Sequence, residues 1–232
     1  MKRLLKYIPP KLRFKLLGLK NLISDSRQIH YAQNGEDILV RSMFPAGHQG
    51  FYVDVGAHHP YRISNTYLLH KLGWKGINID PNPDTIKQFN RARPDDINLE
   101  LGVAGRKDEL NYHQFSDPAV NTFSEEEAEK WKGKVWQTYL GARAVPVSPL
   151  RDILELHLPT GQEIDLMNID VEGLDLEVLK SNDWQKFAPK VLIVEAHDFT
   201  LENMNTHSIY AFLKLQGYKL AQKAKFSLIF TK

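Results

Sequence analysis

Two apolar runs in this chain end in acids. In IDLMNIDVEG (164–173), Met167 and Ile169 read as buried strand, and Asp170 and Glu172 follow at once. In KVLIVEAHD (190–198), the run ends in Glu195, His197 and Asp198. A carboxylate at the end of a buried strand is costly unless something pairs with it. Carboxylates beside an imidazole can take a proton from a hydroxyl. They can also hold a divalent cation such as magnesium or calcium.

A second pair of acids lies earlier. GFYVDVG (50–56) is an apolar run closing on Asp54 and Gly56, and GINID (76–80) closes on Asp80, 24 residues after Gly56. That interval suits an acid on a second strand taking the hydroxyl pair of a ribose. Gly56 would let a ligand approach the backbone, and Asp54 would hold a ligand's ammonium, directly or through water. A dinucleotide turn needs G-x-G-x-x-G. Here DVGAHHP lacks the second and third glycines, which disfavours a nicotinamide cofactor. S-adenosylmethionine, with a ribose, an adenine, a charged amino acid and no phosphate, fits better.

The elements that must position these groups alternate in type. Strands are expected at 50–56, 75–80, 97–105, 108–115, 142–148, 163–170 and 190–197, with a closing pair in 218–230 joined near Lys223-Ala224. Helices are expected at 30–44, 64–73, 83–92, within 125–139, and at 149–158, 174–182 and 204–217. Ser64 or Asn65 is a suitable N-cap and Gly73 a stop for the second helix, and Pro83 suits a first turn. The alternation predicts a doubly wound, mostly parallel α/β sheet, with the terminal hairpin as an antiparallel edge. Residues 106–142 read as an insertion over one end of the sheet.

Composition narrows the rest. The 232 residues are 42% hydrophobic and 25% charged, which is ordinary for a globular domain. A net charge of +2 points to no nucleic acid. The absence of cysteine excludes disulfides, thiolate metal sites and a cysteine nucleophile, and fits a cytoplasmic setting. Residues 1–29 form a basic appendage in which Lys2, Arg3, Lys6, Lys11, Arg13, Lys15 and Lys20 precede the first acid, Asp25. No apolar run there spans a bilayer, and no signal-peptide pattern is present. The segment reads either as an amphipathic contact with an anionic membrane face or as a solvated helix packed on the domain.

Five stretches, YAQNGEDILV, GFYVDVGAHHPYRISNTYLL, GWKGINIDPNP, VPVSPLRDIL and IDLMNIDVEGLDLEVL, resemble in order and spacing the FkbM family of S-adenosylmethionine-dependent methyltransferases. The resemblance covers about residues 30–231. It implies the class I, Rossmann-like fold with seven strands, the last antiparallel, and methyl transfer to oxygen, usually a sugar or polyketide-like hydroxyl. It implies Asp54, Gly56 and Ala57 at the cofactor turn, and Asp80 on the ribose with Pro81 and Asn82 beside the adenine. Gly102, Val103 and Ala104 would lie at the adenine edge, and Asp170 and Glu172 next to the methyl. In that setting one arrangement holds a metal on Asp170, Glu195 or Asp198, and His197. The other has no metal: His197 or Glu172 is the base and Asp170 grips a neighbouring hydroxyl. Glu172 also reads as an acid bonding the amides at the start of helix 174–182. His58 and His59 line the acceptor pocket, or His58 packs under its loop. Gly35, Glu36 and Asp37 touch a ligand or cap a helix. The expected acceptor is a sugar hydroxyl of a glycan or glycolipid, made at the inner membrane face. The alternatives are a small soluble natural product and a non-catalytic binding module.

Overall fold

The structure, a computed structural model, describes Pro9 and residues 29–232. The chain divides into two units, residues 1–30 and 31–232; the reading of the basic N-terminal segment lies outside the described residues. The second unit follows the order α1 (Glu36–Ser42), β1 (Phe51–Val55), α2 (Tyr67–Lys71), β2 (Lys75–Asp80), α3 (Pro83–Ala92), β3 (Ile97–Glu100), β4 (Gly102–Val103) and β5 (Asp108–Phe115). It continues through a 3-10 turn (Pro118–Val120), α4 (Glu125–Lys132), β6 (Tyr139–Ser148), α5 (Leu150–His157), β7 (Leu166–Ile169), α6 (Asp175–Ser181), β8 (Val191–Glu195), α7 (Ser208–Leu215), β9 (Lys219–Ala224) and β10 (Ser227–Thr231).

Seven strands form one sheet in the order β3-β2-β1-β7-β8-β10-β9. The pairs from β3 to β8 are parallel, and β10 is antiparallel to both neighbours. This is the doubly wound α/β fold with an antiparallel last strand. The closing hairpin forms the antiparallel edge as expected, with β10 between β8 and β9 and β9 outermost. Its turn differs from expectation and falls at Lys225-Phe226, with Lys225 at φ 45°. An all-apolar strand such as SLIF is covered on both faces only away from an edge.

Alternation along the central strands feeds two cores. Val53, Met167, Leu192, Val194 and Phe230 pack on one face with Leu154, Val178 and Leu213 from α5, α6 and α7. Tyr52, Leu166, Ile193 and Ile229 pack on the other with Val40, Leu69 and Trp74. Each fully buried aliphatic contributes about 1.5–3 kcal/mol.

The expected insertion is a small second sheet, β4-β6-β5, rather than further strands of the main one. β5 and β6 pair antiparallel from Asp108↔Val147 to Phe115↔Tyr139, and α4 and the 3-10 turn lie between them in sequence. Ser124 caps α4 through the Glu127 amide. Several expected helices are shorter than the apolar pattern suggested. Residues 31–35 are irregular before α1, and α2 begins at Tyr67, whose amide donates to the Ser64 hydroxyl.

Candidate active site

One cavity of about 330 Å³ lies at the carboxyl ends of β1, β2, β7 and β8, with the second sheet as its opposite wall. Ligands of doubly wound sheets bind at this edge. Asp54, Gly56, Ala57, Asp80, Pro81, Val103, Asp170, Glu172, Glu195 and His197 line it. So do Gln33, Asn65, Leu101, Tyr112, Asn121, Phe123 and Asn168, which sequence reasoning did not single out. A signal for Asn168 was present: it is the polar residue inside the apolar run of β7, and it is buried. Among the described residues, three of the four non-glycine residues with positive φ, His58, Ile63 and Glu172, line the same cavity. Such backbone costs about 1–3 kcal/mol each and concentrates at functional sites.

At the β1–β2 end, the first turn is closed by its own amides. The Gly56 and Ala57 N–H groups donate to the Ile79 carbonyl at 2.9 and 3.1 Å, and the His58 N–H donates to Asp80 at 3.0 Å. Asp80 also accepts the Asn82 N–H at 2.7 Å. Burial pushes the Asp80 carboxyl up to about 6, against the pull of these amides. Each oxygen keeps a lone pair, so the group can accept two hydroxyls. Gly56 sits at φ 78°, and a Cβ there would lie 1.7 Å from the Asp170 carbonyl oxygen. The glycine is therefore required by the neighbouring strand end, besides lining the cavity.

Asp54 is tied into the fold as well as lining the cavity. Its carboxylate accepts the Thr66 hydroxyl at 2.6 Å and the Asn168 amide at 2.8 Å, one bond on each oxygen. Asn168 is in turn joined to Asn65 at 2.9 Å. Behind Asp54, fully buried Arg93 donates to the Pro60 carbonyl and to the hydroxyls of Ser64 and Thr66. This pins residues 60–66, the loop that carries Ile63 and Asn65. His59 accepts the Tyr61 and Arg62 amides through Nδ1 and is not part of the cavity wall. His58 is, and burial holds its imidazole down at about 4, so it is neutral. His70 on α2 lies 3.6 Å from the buried Asp96.

Among the remaining expected residues, Asn82 caps α3 through the Asp84 amide and Gly102 packs against Val147 and Phe123. Ala104 lines a second, separate cavity with Gly105, Val147 and Leu174. None of these three lines the first cavity.

At the β7–β8 end, four acids converge. Asp170 shares a hydrogen bond with Glu195; burial and the charges of Glu195, Glu172 and Asp175 hold it well above the usual carboxylate range. Burial and the same neighbours push Glu172 up to about 9 and Asp175 to about 7. Asp175 accepts the Val171 and Gly173 amides at 3.3 and 3.2 Å. Asp175 thus closes the turn that leads into α6, whose N-cap Leu174 makes no side-chain bond. Glu172 is left facing the cavity from a left-handed backbone, its carbonyl held by the Thr122 hydroxyl.

His197 Nε2 lies 3.1 Å from Glu195, and its ring rests against Phe226. The hydrogen bond to Glu195 raises the imidazole above its ordinary value, making it a stronger base, with Nδ1 as the other ring nitrogen. Ligand atoms of Glu172, Glu195 and His197 lie within 4.8 Å of one another. Asp170 is not in that group. Asp198 is not either: its carboxylate is exposed and takes His207 Nε2 at 3.0 Å.

No Lys or Arg among the described residues lines the cavity, and the amides of the first turn are spent. A pyrophosphate would find neither cation nor free N–H there. The wall there offers the Asp80 carboxylate and the apolar side chains of Leu101, Val103, Tyr112 and Phe123.

A family model for the methyltransferase FkbM domain matches residues 54–220. A crystal structure of methyltransferase FkbM from Methylobacillus flagellatus is similar at 11% identity and TM-score 0.47, over 79% of this chain and 44% of that one. The chain thus spans less than half of that protein. A crystal structure of a TehB-like SAM-dependent methyltransferase from Corynebacterium glutamicum is similar at 14% identity and TM-score 0.43, over 97% of this chain and 100% of that one. A comparison with curated proteins finds no match.

Proposed function

The chain belongs to the FkbM methyltransferase family, and on that premise we propose that it methylates a hydroxyl of a sugar in a glycan or glycolipid, using S-adenosylmethionine. The observation that carries this reading is the two-ended cavity. A phosphate-free adenosine site around Asp80 shares one space with a His197–Glu195 pair. The cofactor supplies a methyl group on a positively charged sulfur. The chain's own residues place the acceptor oxygen and remove its proton.

His197 is the general base in this reading. Its Nδ1 takes the hydroxyl proton as the oxygen–methyl bond forms and the sulfur–methyl bond breaks, and Glu195 stabilises the resulting imidazolium. Glu172, pushed up to about 9, is protonated at neutral pH and donates to an acceptor oxygen. Asp170 supports Glu195 and faces a neighbouring hydroxyl.

A second reading is favoured by the Glu172–Glu195–His197 convergence. Magnesium or calcium on these three groups would neutralise the mutually repelling acids and acidify the acceptor hydroxyl. One assay separates the two. Labelled methyl transfer to methyl glycosides is measured with and without chelator, for the wild type and His197→Ala. The metal-free reading expects chelator-insensitive turnover, lowered about 10²–10⁴-fold in His197→Ala with unchanged S-adenosylhomocysteine affinity. Loss of turnover on chelation supports the metal.

Among the described residues no helix is long and apolar enough to cross a membrane. The basic segment 1–25 supports peripheral contact with an anionic bilayer, where a glycolipid acceptor would be met. Deleting it should abolish cosedimentation with phosphatidylserine vesicles; unchanged partition contradicts the contact.

A further inference from the structure

The segment before α1 is held in place by two buried acids. Glu36 accepts the Asn34 amide at 2.8 Å, and the Asn34 side chain and the Ser227 hydroxyl at 3.2 Å each. Asp37 accepts the Tyr31 amide at 2.7 Å, and the Tyr31 carbonyl accepts the Ser64 amide at 3.0 Å. Both acids are essentially fully buried. They do not touch the cavity, and Asp37 also accepts the Ile38 amide at 2.9 Å in the first turn of α1. Their effect is to fix residues 31–35 between the α2 entrance and the start of β10. The residue of this segment that reaches the cavity is Gln33, which is otherwise exposed and makes no hydrogen bond to a described residue.

The methyl donor carries an ammonium and a carboxylate at its amino-acid end. Around the β1 turn the carboxylate lacks its usual partners. The amides of residues 56–58 are spent on Ile79 and Asp80, and Lys and Arg are absent from the described wall. The ammonium has buried Asp54, each of whose oxygens already takes one bond, from Thr66 or Asn168. The groups in the wall that can serve both charges are neutral amides. A primary amide offers two N–H donors and a carbonyl acceptor, so one group can serve both halves of a zwitterion. Asn65 spends one N–H on Asn168 and keeps its carbonyl oxygen; Gln33 spends nothing.

We propose that Gln33, clamped through Glu36 and Asp37 and assisted by Asn65, binds the amino-acid end of the methyl donor. The inference rests on the methyl-donor reading above. The test is calorimetric titration of the full chain with S-adenosylhomocysteine and with 5′-methylthioadenosine, which lacks the amino-acid end. Gln33→Ala should weaken S-adenosylhomocysteine binding by roughly tenfold or more, as expected for lost hydrogen bonds to charged groups, and leave 5′-methylthioadenosine unchanged. Gln33→Glu, which sets a carboxylate against a carboxylate, should weaken the first ligand further. Equal weakening of both ligands, or of neither, in Gln33→Ala would overturn the proposal. A wild type that binds no S-adenosylhomocysteine would overturn the underlying reading instead, before any substitution is made.

Discussion

His197 and Glu195 set the pH dependence expected of the reaction. The hydrogen bond that His197 donates to Glu195 raises the imidazole, so the base is protonated and idle at low pH. Turnover should rise as pH rises through that raised value. Glu195→Gln removes the charge that holds the proton, so the imidazole falls back and the rising limb moves to lower pH. The weaker base should also lower the plateau of kcat. A pH–rate profile on both proteins checks this; an unmoved limb would remove His197 from the base role. At this scale the sequence was partly readable. The types and order of Asp80, Asp170, Glu172, Glu195 and His197 were visible as acids and a histidine ending apolar runs. Their pairing was not. That Asp54 is bonded by Thr66, that Asp198 turns to His207, and that Asp175 closes the turn into α6 depend on side-chain directions. Spacing along the chain does not carry those directions.

At the scale of elements, the contact between the β1 and β7 ends shapes the site. Gly56 needs both a left-handed φ and room beside the Asp170 carbonyl. Gly56→Ala should therefore push the two strand ends apart. We expect a loss of more than about 2 kcal/mol in stability from the backbone conflict and overpacking, read by urea denaturation. S-adenosylhomocysteine binding should fall with it. The βα alternation was legible because buried strands and amphipathic helices differ in period and length. α3 fell where Pro83 and its pattern placed it. The second sheet was not legible. β5 and β6 read correctly as strands, but a period of two says nothing about which strand is the neighbour. Likewise, the apolar run of β10 shows burial, and only the tertiary order shows that it inserts between β8 and β9.

For the whole molecule, the acid cluster links stability to pH. Asp80 at about 6, Asp175 at about 7 and Glu172 at about 9 all lie above their ordinary values. The folded chain therefore binds protons that the unfolded chain has released. The stability contributed by these groups is full below about pH 4 and is lost as pH rises through 6 to 9. Glu172→Gln removes one of the repelling charges without changing size. It should leave Tm little changed at pH 6 and raise it at pH 9, by ~2–4 °C for each kcal/mol relieved in a chain of this length. A thermal melt at the two pH values measures this; equal shifts at both would detach Glu172 from the cluster.

The central claim is that the cavity takes a phosphate-free adenosine donor with its hydroxyls on Asp80, and calorimetric titration of the full chain tests it most directly. S-adenosylhomocysteine should bind, more tightly as pH rises through about 6 because its hydroxyls favour the charged Asp80 carboxylate, and Asp80→Asn should weaken it and flatten that dependence. NAD should not bind. Binding of NAD without binding of S-adenosylhomocysteine would contradict the account.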